Sequence, residues 1–191
     1  MTTDPLTPPS SVPPLTVRPI TPDDAPRLGD LLQRCSPETT YNRFFTAIRR
    51  PRPATLQWLA EVDHFRREAL VAMCDGAVVA VARYDWTGAA DDQAEIAILV
   101  EDAWQRRRVG TTLLPLLTDL AIDRGVRVFT ATVLANNTAV AQLLRRVFPS
   151  VIVRNEGYAH TVTIPLGTPQ GLALAPMPRS GGVPTLAKTV T

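Results

Sequence analysis

Two hydrophobic rhythms alternate along the middle of the chain, one with the spacing of a helix and one with that of a strand. Leu15-Thr16-Val17-Arg18-Pro19-Ile20 reads as a short strand. Thr21-Pro22-Asp23-Asp24 then supplies an N-cap, a proline at the first helical position and two first-turn acids, and Leu28, Leu31 and Leu32 mark the apolar face of a helix. Ser36-Pro37-Glu38 repeats the start signal for a second helix that carries Tyr41, Phe44 and Phe45, and a third short helix is predicted over 55–62. The apolar runs 69–74 and 77–86 flank Asp75-Gly76, a hairpin turn signal. A strand is predicted over 94–100 and a helix over 111–124, with Gly125 as its C′ residue. A Val- and Thr-rich strand over 126–134, a helix over 137–148 and a hairpin (151–154 and 158–164) around Asn155-Glu156-Gly157 complete the pattern. Pro115 stands inside the predicted helix 111–124, where it removes a hydrogen bond and should bend the axis.

The order β-α-α-α-β-β-β-α-β-α-β-β specifies an α/β sandwich around a mixed sheet. The rhythm stops at both ends. Residues 1–14 and 167–191 are rich in proline, the latter also in glycine, and both read as flexible tails around one folded domain over 15–166. A chain of 191 residues suits one domain with a full core.

Composition narrows the class. With 45% hydrophobic and 20% charged residues the chain is of globular type, and no stretch approaches the roughly 20 apolar residues of a membrane span. The N-terminus shows no basic segment leading into an apolar core, so the expected location is cytoplasmic, with no membrane partner. A net charge of +2 is small for a nucleic-acid binder. Cys35 and Cys74 lack CxxC spacing and read as reduced structural thiols. With two widely separated histidines, His64 and His160, no metal site is expected.

The candidate chemistry sits behind the strand Glu95-Ile96-Ala97-Ile98-Leu99-Val100. The turn Gln105-Arg106-Arg107-Arg108-Val109-Gly110-Thr111 follows it and opens a helix. Strand, short loop and helix start is the arrangement that aims several backbone N–H groups at one point, where the helix dipole favours an anion such as a diphosphate. The same three arginines also fit a solvated basic turn. Glu95 interrupts an apolar strand, and pattern alone fits a solvated strand face as well as a catalytic acid.

The turn resembles the pyrophosphate loop of the GCN5-related N-acetyltransferases (GNAT superfamily): Gln105, Val109, Gly110 and the lead-in Val100-Glu101-Asp102-Ala103-Trp104 match, while Arg108 stands where the loop's first glycine is usual. Asn137, opening a helix just past a strand, is similar to the family's cofactor-side asparagine. Leu143-Leu144-x-x-x-Phe148 resembles its helix ending, with Val147 at the usual glycine and Leu144 at the position of a frequent general-acid tyrosine. Four further segments, 36–45, Val62-Asp63-His64, Ala82-Arg83-Tyr84 and Ala94-Glu95-Ile96-Ala97, resemble the catalytic domain of bacterial Pat-type protein-lysine acetyltransferases.

This resemblance implies a mostly antiparallel mixed sheet of about seven strands flanked by helices, its fourth and fifth strands splayed around the cofactor. It implies acetyl-CoA as acyl donor, held by backbone groups of Ile98, Leu99 and Val100, by Gln105 and the turn from Arg106, Arg107 and Arg108 through Val109, Gly110 and Thr111, and by Asn137. It also implies Glu95 as general base, whose burial beside Ile96, Ala97 and Tyr84 would raise its pKa. Glu95 lies ~13 Å along the strand from Leu99, so its proton path would include a water. The acceptor implied is an amine, a protein lysine first and a small-molecule amine second. The departure at Arg108 leaves a non-catalytic acyl-CoA-binding module as a third reading. From charge alone, acidic Asp85 and Asp91-Asp92 fit either of two readings, residues that lead a cationic acceptor inward or acidic loop tips with no specific role.

Overall fold

Asp75 and Gly76 take left-handed φ values of 47° and 78°, as a two-residue hairpin turn requires, and join β2 (Arg67–Cys74) to β3 (Ala77–Trp86). From this hairpin the sheet grows in both directions. The computed structural model describes residues 14–46, 51–86, 92–167 and 188–190. On one side β1 (Leu15–Pro19) pairs antiparallel with β2. On the other, β4 (Gln93–Val100) pairs antiparallel with β3 and parallel with β5 (Val128–Leu134). Antiparallel β7 (Ala159–Pro165) and β6 (Ile152–Asn155) finish that edge. These seven strands form the mixed, mostly antiparallel sheet expected. A three-residue strand, β8 (Lys188–Val190), is added on β1 and gives the order β6-β7-β5-β4-β3-β2-β1-β8. The rest of the two proposed tails, apart from Pro14 and Gly167, lies outside the described residues.

Helices cover both faces. α1 (Ala25–Arg34), α2 (Pro37–Phe44) and α3 (Pro53–Ala60) lie on the face of Ala69, Val71, Val81 and Leu99. On the opposite face α4 (Val109–Asp123) and α5 (Thr138–Val147) bury Leu113, Leu114, Leu117 and Leu144 against Ala82, Tyr84, Phe129 and Ile164. Each fully buried leucine contributes about 1.5–3 kcal/mol by leaving water. Tyr84 buries its ring in this core and satisfies its hydroxyl on the Phe65 carbonyl at 2.9 Å.

Two helix starts and the course of α4 differ from expectation. α4 starts at Val109 rather than Thr111, because Arg108 takes the left-handed conformation and ends the turn there. α3 starts at Pro53, a residue preset for the first helical position, instead of Thr55. α4 also continues unbroken through exposed Pro115, well past its first turn. Gly125 takes φ 97°, as its place after the helix predicts.

Candidate functional site

The parallel pairing of β4 with β5 is confined to three positions: Gln93 with Val128, Ala94 with Phe129, and Glu95 with Thr130. Beyond Glu95 the strands part. The opening leads into a cavity of about 760 Å³, within the size range of small-molecule sites. Its walls are β4 from Glu95 to Val100, residues 131–133 of β5, the first turn of α4, α5, and α2.

Local sequence explains how the α4 end of this cavity is shaped. Arg106 and Arg108 both take positive φ, 60° and 65°, which folds the turn back on itself. A side chain in that conformation costs roughly 1–2 kcal/mol, so Arg108 adopts the backbone that a glycine would adopt freely, and the turn still forms. Thr112 N–H, bonded to the Arg108 carbonyl at 3.0 Å, is the first helical amide with a backbone acceptor among the described residues. The amides of Val109, Gly110 and Thr111 precede it at the positive end of the helix dipole. The Thr111 and Thr112 hydroxyls both donate to the Arg108 carbonyl, at 2.7 and 3.1 Å, and fix the turn.

Gly110 answers to packing as well as to any ligand. A Cβ there would lie 2.7 Å from Leu143 Cδ2 and 3.4 Å from Ile98 Cδ1, so the missing side chain lets α4 start hard against α5 and β4. Of the residues expected to hold an acyl donor, Ile98, Leu99, Val100, Gln105, Arg106, Arg108, Val109, Gly110, Thr111 and Asn137 all line the cavity. Arg107 does not. Its guanidinium turns away to sit 5.6 Å from the centre of the Trp104 ring. Asn137 caps α5, its Oδ1 accepting the Val140 N–H at 3.2 Å, so a local helix role accompanies its place on the wall.

Glu95 projects from the same face of β4 as Ala97 and Leu99, as the period of a strand requires. It is exposed, which corrects the expected burial: pairing with β5 ends at this residue, and the parting strands leave the carboxylate on the open side of the cavity. Among the described residues it has no hydrogen-bond or ion-pair partner. Asp85, directly across on β3, is not a free steering acid. Arg83 grips both of its oxygens at 2.7 and 2.8 Å, and Arg67 adds a third bond at 3.0 Å. Burial works to raise the Asp85 carboxyl, but Arg83 and then Arg67 outweigh it and hold it below the usual range. Asp92 is exposed, and Asp91 lies outside the described residues.

Sequence reasoning missed three features of the α2 side. Asp102 ties α2 to the loop after β4: it accepts from Ser36 N–H and Oγ and from Thr39 Oγ1, each at 2.8 Å. The Gln105 amide extends this tie by donating to Thr39 Oγ1 at 3.1 Å and to the Val100 carbonyl at 3.2 Å. Exposed Tyr41 and Tyr158 join α2 to the β6–β7 turn through their hydroxyls. Arg43 also lines the cavity. No local spacing announces any of these, since each partner lies far off in sequence. The remaining candidates play structural parts. His64 Nδ1 pairs with buried Glu68 at 2.8 Å, and Cys35 and Cys74 are buried free thiols. His160 Nδ1 is buried without a partner among the described residues. No group of residues suited to a metal ion and no helix long and apolar enough to cross a membrane occurs among them either.

The opening suits a long ligand with an anionic segment. Parted strand edges offer backbone groups to an extended arm, and the start of α4 offers amides to phosphates. Comparison with known proteins gives the same direction. The profile of the "Acetyltransferase (GNAT) family" matches residues 27–148. The curated Acetyltransferase Pat of Mycolicibacterium smegmatis is 36% identical over 133 residues, which make up 68% of this chain and 39% of that protein. The chain therefore spans well under half of the length of that relative. Among solved structures, the GNAT domain of S. lividans PAT is 33% identical with a TM-score of 0.74, covering 78% of this chain and 89% of that one. A putative acetyltransferase from Salmonella typhimurium, solved with its cofactor acetyl-CoA, shares the fold at 19% identity and a TM-score of 0.63, over 83% of this chain and 96% of that one.

Proposed function

Because the chain belongs to the acetyltransferase (GNAT) family, we propose that it transfers an acetyl group from acetyl-CoA to an amine, a protein lysine side chain in the first instance, with Glu95 as general base. The observation that carries this reading is the coincidence of an ionisable group and an opening. β4 and β5 part at Glu95, and this unpartnered carboxylate stands where the cavity begins.

The chemistry assigns each part a task. A lysine amine has a pKa near 10.4, so at neutral pH about one in a thousand is unprotonated. A base must take its proton as the nitrogen attacks the thioester carbon. Glu95 takes that proton through ordered water, which its exposed position supplies. The edge of β4 from Ile98 to Val100 holds the pantetheine arm, and one of its amides donates to the carbonyl oxygen as charge develops there. Amides from Arg106 to Thr111 hold the diphosphate, with the Arg106 and Arg108 side chains adding charge. The bond formed is N–C and the bond broken is C–S. The thiolate leaves without a protein acid, because a thiol of pKa near 8.5 is a competent leaving group and Leu144 is apolar and buried.

Lysine as acceptor rests on the likeness to Pat, which the present chain matches only in part. Acetyl-CoA supplied with a cell lysate and, separately, with a panel of free amines tests it. Protein labelling above background, lost in Glu95→Gln, is the expected result. Rapid turnover of free amines with no labelled protein would make the enzyme a small-amine acetyltransferase. Binding of acetyl-CoA with no turnover on any amine would leave a non-catalytic acyl-CoA-binding module.

A further inference from the structure

Arg43 is in an unusual position for a charged side chain. It projects from the last turn of α2 and forms part of the wall of two cavities at once: the large one containing Glu95, and a smaller one of about 30 Å³ beneath it. Ala97 and Leu99 belong to both walls, so the two spaces adjoin along one face of β4. The smaller space is otherwise enclosed by apolar side chains, among them Leu28, Leu32, Leu59 and Val81, with Arg83 the only other charged residue. At 30 Å³ it accommodates about two water-sized atoms, the size of a carboxylate's two oxygens.

The guanidinium has five N–H donors, and none has a hydrogen-bond or ion-pair partner among the described residues. It lies 4.8 Å from the centre of the neighbouring Phe44 ring. Neither nearby anion pairs with it. Asp85 is saturated by Arg83 and Arg67. Glu95 acts on Arg43 only through space. Burial first, and then the like charge of Arg83, push the Arg43 guanidinium down to about 10, so it remains a cation at neutral pH. Arg43 as a whole is half-buried, and a charge partly withdrawn from water with no ion-pair partner is destabilising. Folds seldom keep one unless an anion completes it in use.

We propose that Arg43 is a specificity residue that receives a carboxylate carried by a substrate next to the reacting centre. The proposal rests on the transferase reading above. Two sources share this chemistry: an acidic residue beside the target lysine, or the terminal carboxylate of an ω-carboxyacyl donor. The planar fork of an arginine matches either one with two parallel bonds.

Matched pairs separate the sources. The acceptor pair is one lysine peptide with Asp or Asn beside the lysine, used with acetyl-CoA. The donor pair is succinyl-CoA and butyryl-CoA, used with the Asn peptide. For one pair, the wild-type chain should favour the carboxylated member in kcat/KM by about 10-fold or more, as one charge-assisted fork implies. Arg43→Gln should bring that preference close to unity, and Arg43→Lys should keep part of it. Because the preference is a ratio within one preparation, partial unfolding of a variant does not disturb it. No preference in either pair, or a preference unaltered by Arg43→Gln, overturns the proposal. If no member of either pair is turned over, the transferase reading fails on its own. Arg43 is then decided by calorimetry, with tighter binding of succinyl-CoA than butyryl-CoA supporting the proposal and equal affinities overturning it.

Discussion

The two ends of the large cavity are built on different principles. At the α4 end, recognition is offered by main chain: the parted edges of β4 and β5 and the first amides of a helix. At the α2 end the wall includes side chains held by partners distant in sequence, such as Asp102 with Ser36 and Gln105 with Thr39, together with unpaired Arg43. A main-chain site tolerates side-chain change as long as its φ and ψ angles survive. Arg108 illustrates this by standing in for a glycine with φ 65°. A side-chain site has no such tolerance, and can be retuned by one substitution without altering the fold.

Four variants press on this contrast. The largest effect belongs to Glu95→Gln, which removes the proton acceptor and leaves the main-chain grip intact. The transfer rate should fall by about 10²–10⁴-fold, while calorimetry finds acetyl-CoA affinity within a few-fold of wild type. A parallel loss of affinity would assign Glu95 to binding instead. Next is Gly110→Val, which drives a side chain into Leu143 and pushes α4 off α5. Overpacking of this kind destabilises by about 1–3 kcal/mol, and acetyl-CoA should bind about tenfold or more weakly. Unchanged affinity would show that the helix start needs no close seat.

Asp102→Asn loosens the tie between the two ends. Burial tends to raise the Asp102 carboxyl, but hydrogen bonds from Ser36 and Thr39 outweigh it and hold the pKa below the ordinary value. A depressed pKa contributes stability that is complete above the unfolded value of about 3.9 and disappears as pH falls through the folded value. Chemical denaturation at neutral pH should show Asp102→Asn less stable by about 1 kcal/mol, a modest figure because the site is exposed. That gap should close in acid. A gap that persists at pH 2 would mean that charge is not what ties α2 down. The smallest effect is a gain. Arg108→Gly relieves a left-handed side chain, worth roughly 1–2 kcal/mol, against a glycine entropy cost of roughly 0.5–1 kcal/mol, for a net stabilisation of about 0.5–1 kcal/mol. Thermal unfolding would detect it, and a loss of stability would show that the arginine side chain holds the turn together.

The same contrast explains what the sequence made legible. Asp75-Gly76, the Gly125 helix stop and the apolar runs of β2 to β5 are local codes, and the strands and helices follow from them to within about two residues at their ends. The turn before α4 was legible for the same reason, since strand, loop and helix start are neighbours in the chain. Glu95 stands out by its place in an apolar strand, and pattern alone left a solvated face open for it. The burial expected from the resemblance fails, because burial depends on where β4 leaves β5, and a three-residue register has no signature in either strand. Arg107 shows the same limit. Its charge reads like that of its neighbours, and only folding turns it onto Trp104. Arg43 lies in a helix whose start signal is plain and Asp102 in the loop after β4, yet the significance of each arises from elements distant in sequence.

On the proposed reading, the start of α4 grips the diphosphate of a coenzyme whose acyl arm lies between β4 and β5. Calorimetric titration of the intact chain with acetyl-CoA, alongside S-acetylpantetheine, which lacks the diphosphate, tests it most directly. Two or more charge-assisted bonds to phosphate imply that acetyl-CoA binds at least about 100-fold more tightly than the truncated thioester. Equal affinities, or no association of acetyl-CoA at millimolar concentration, would contradict it.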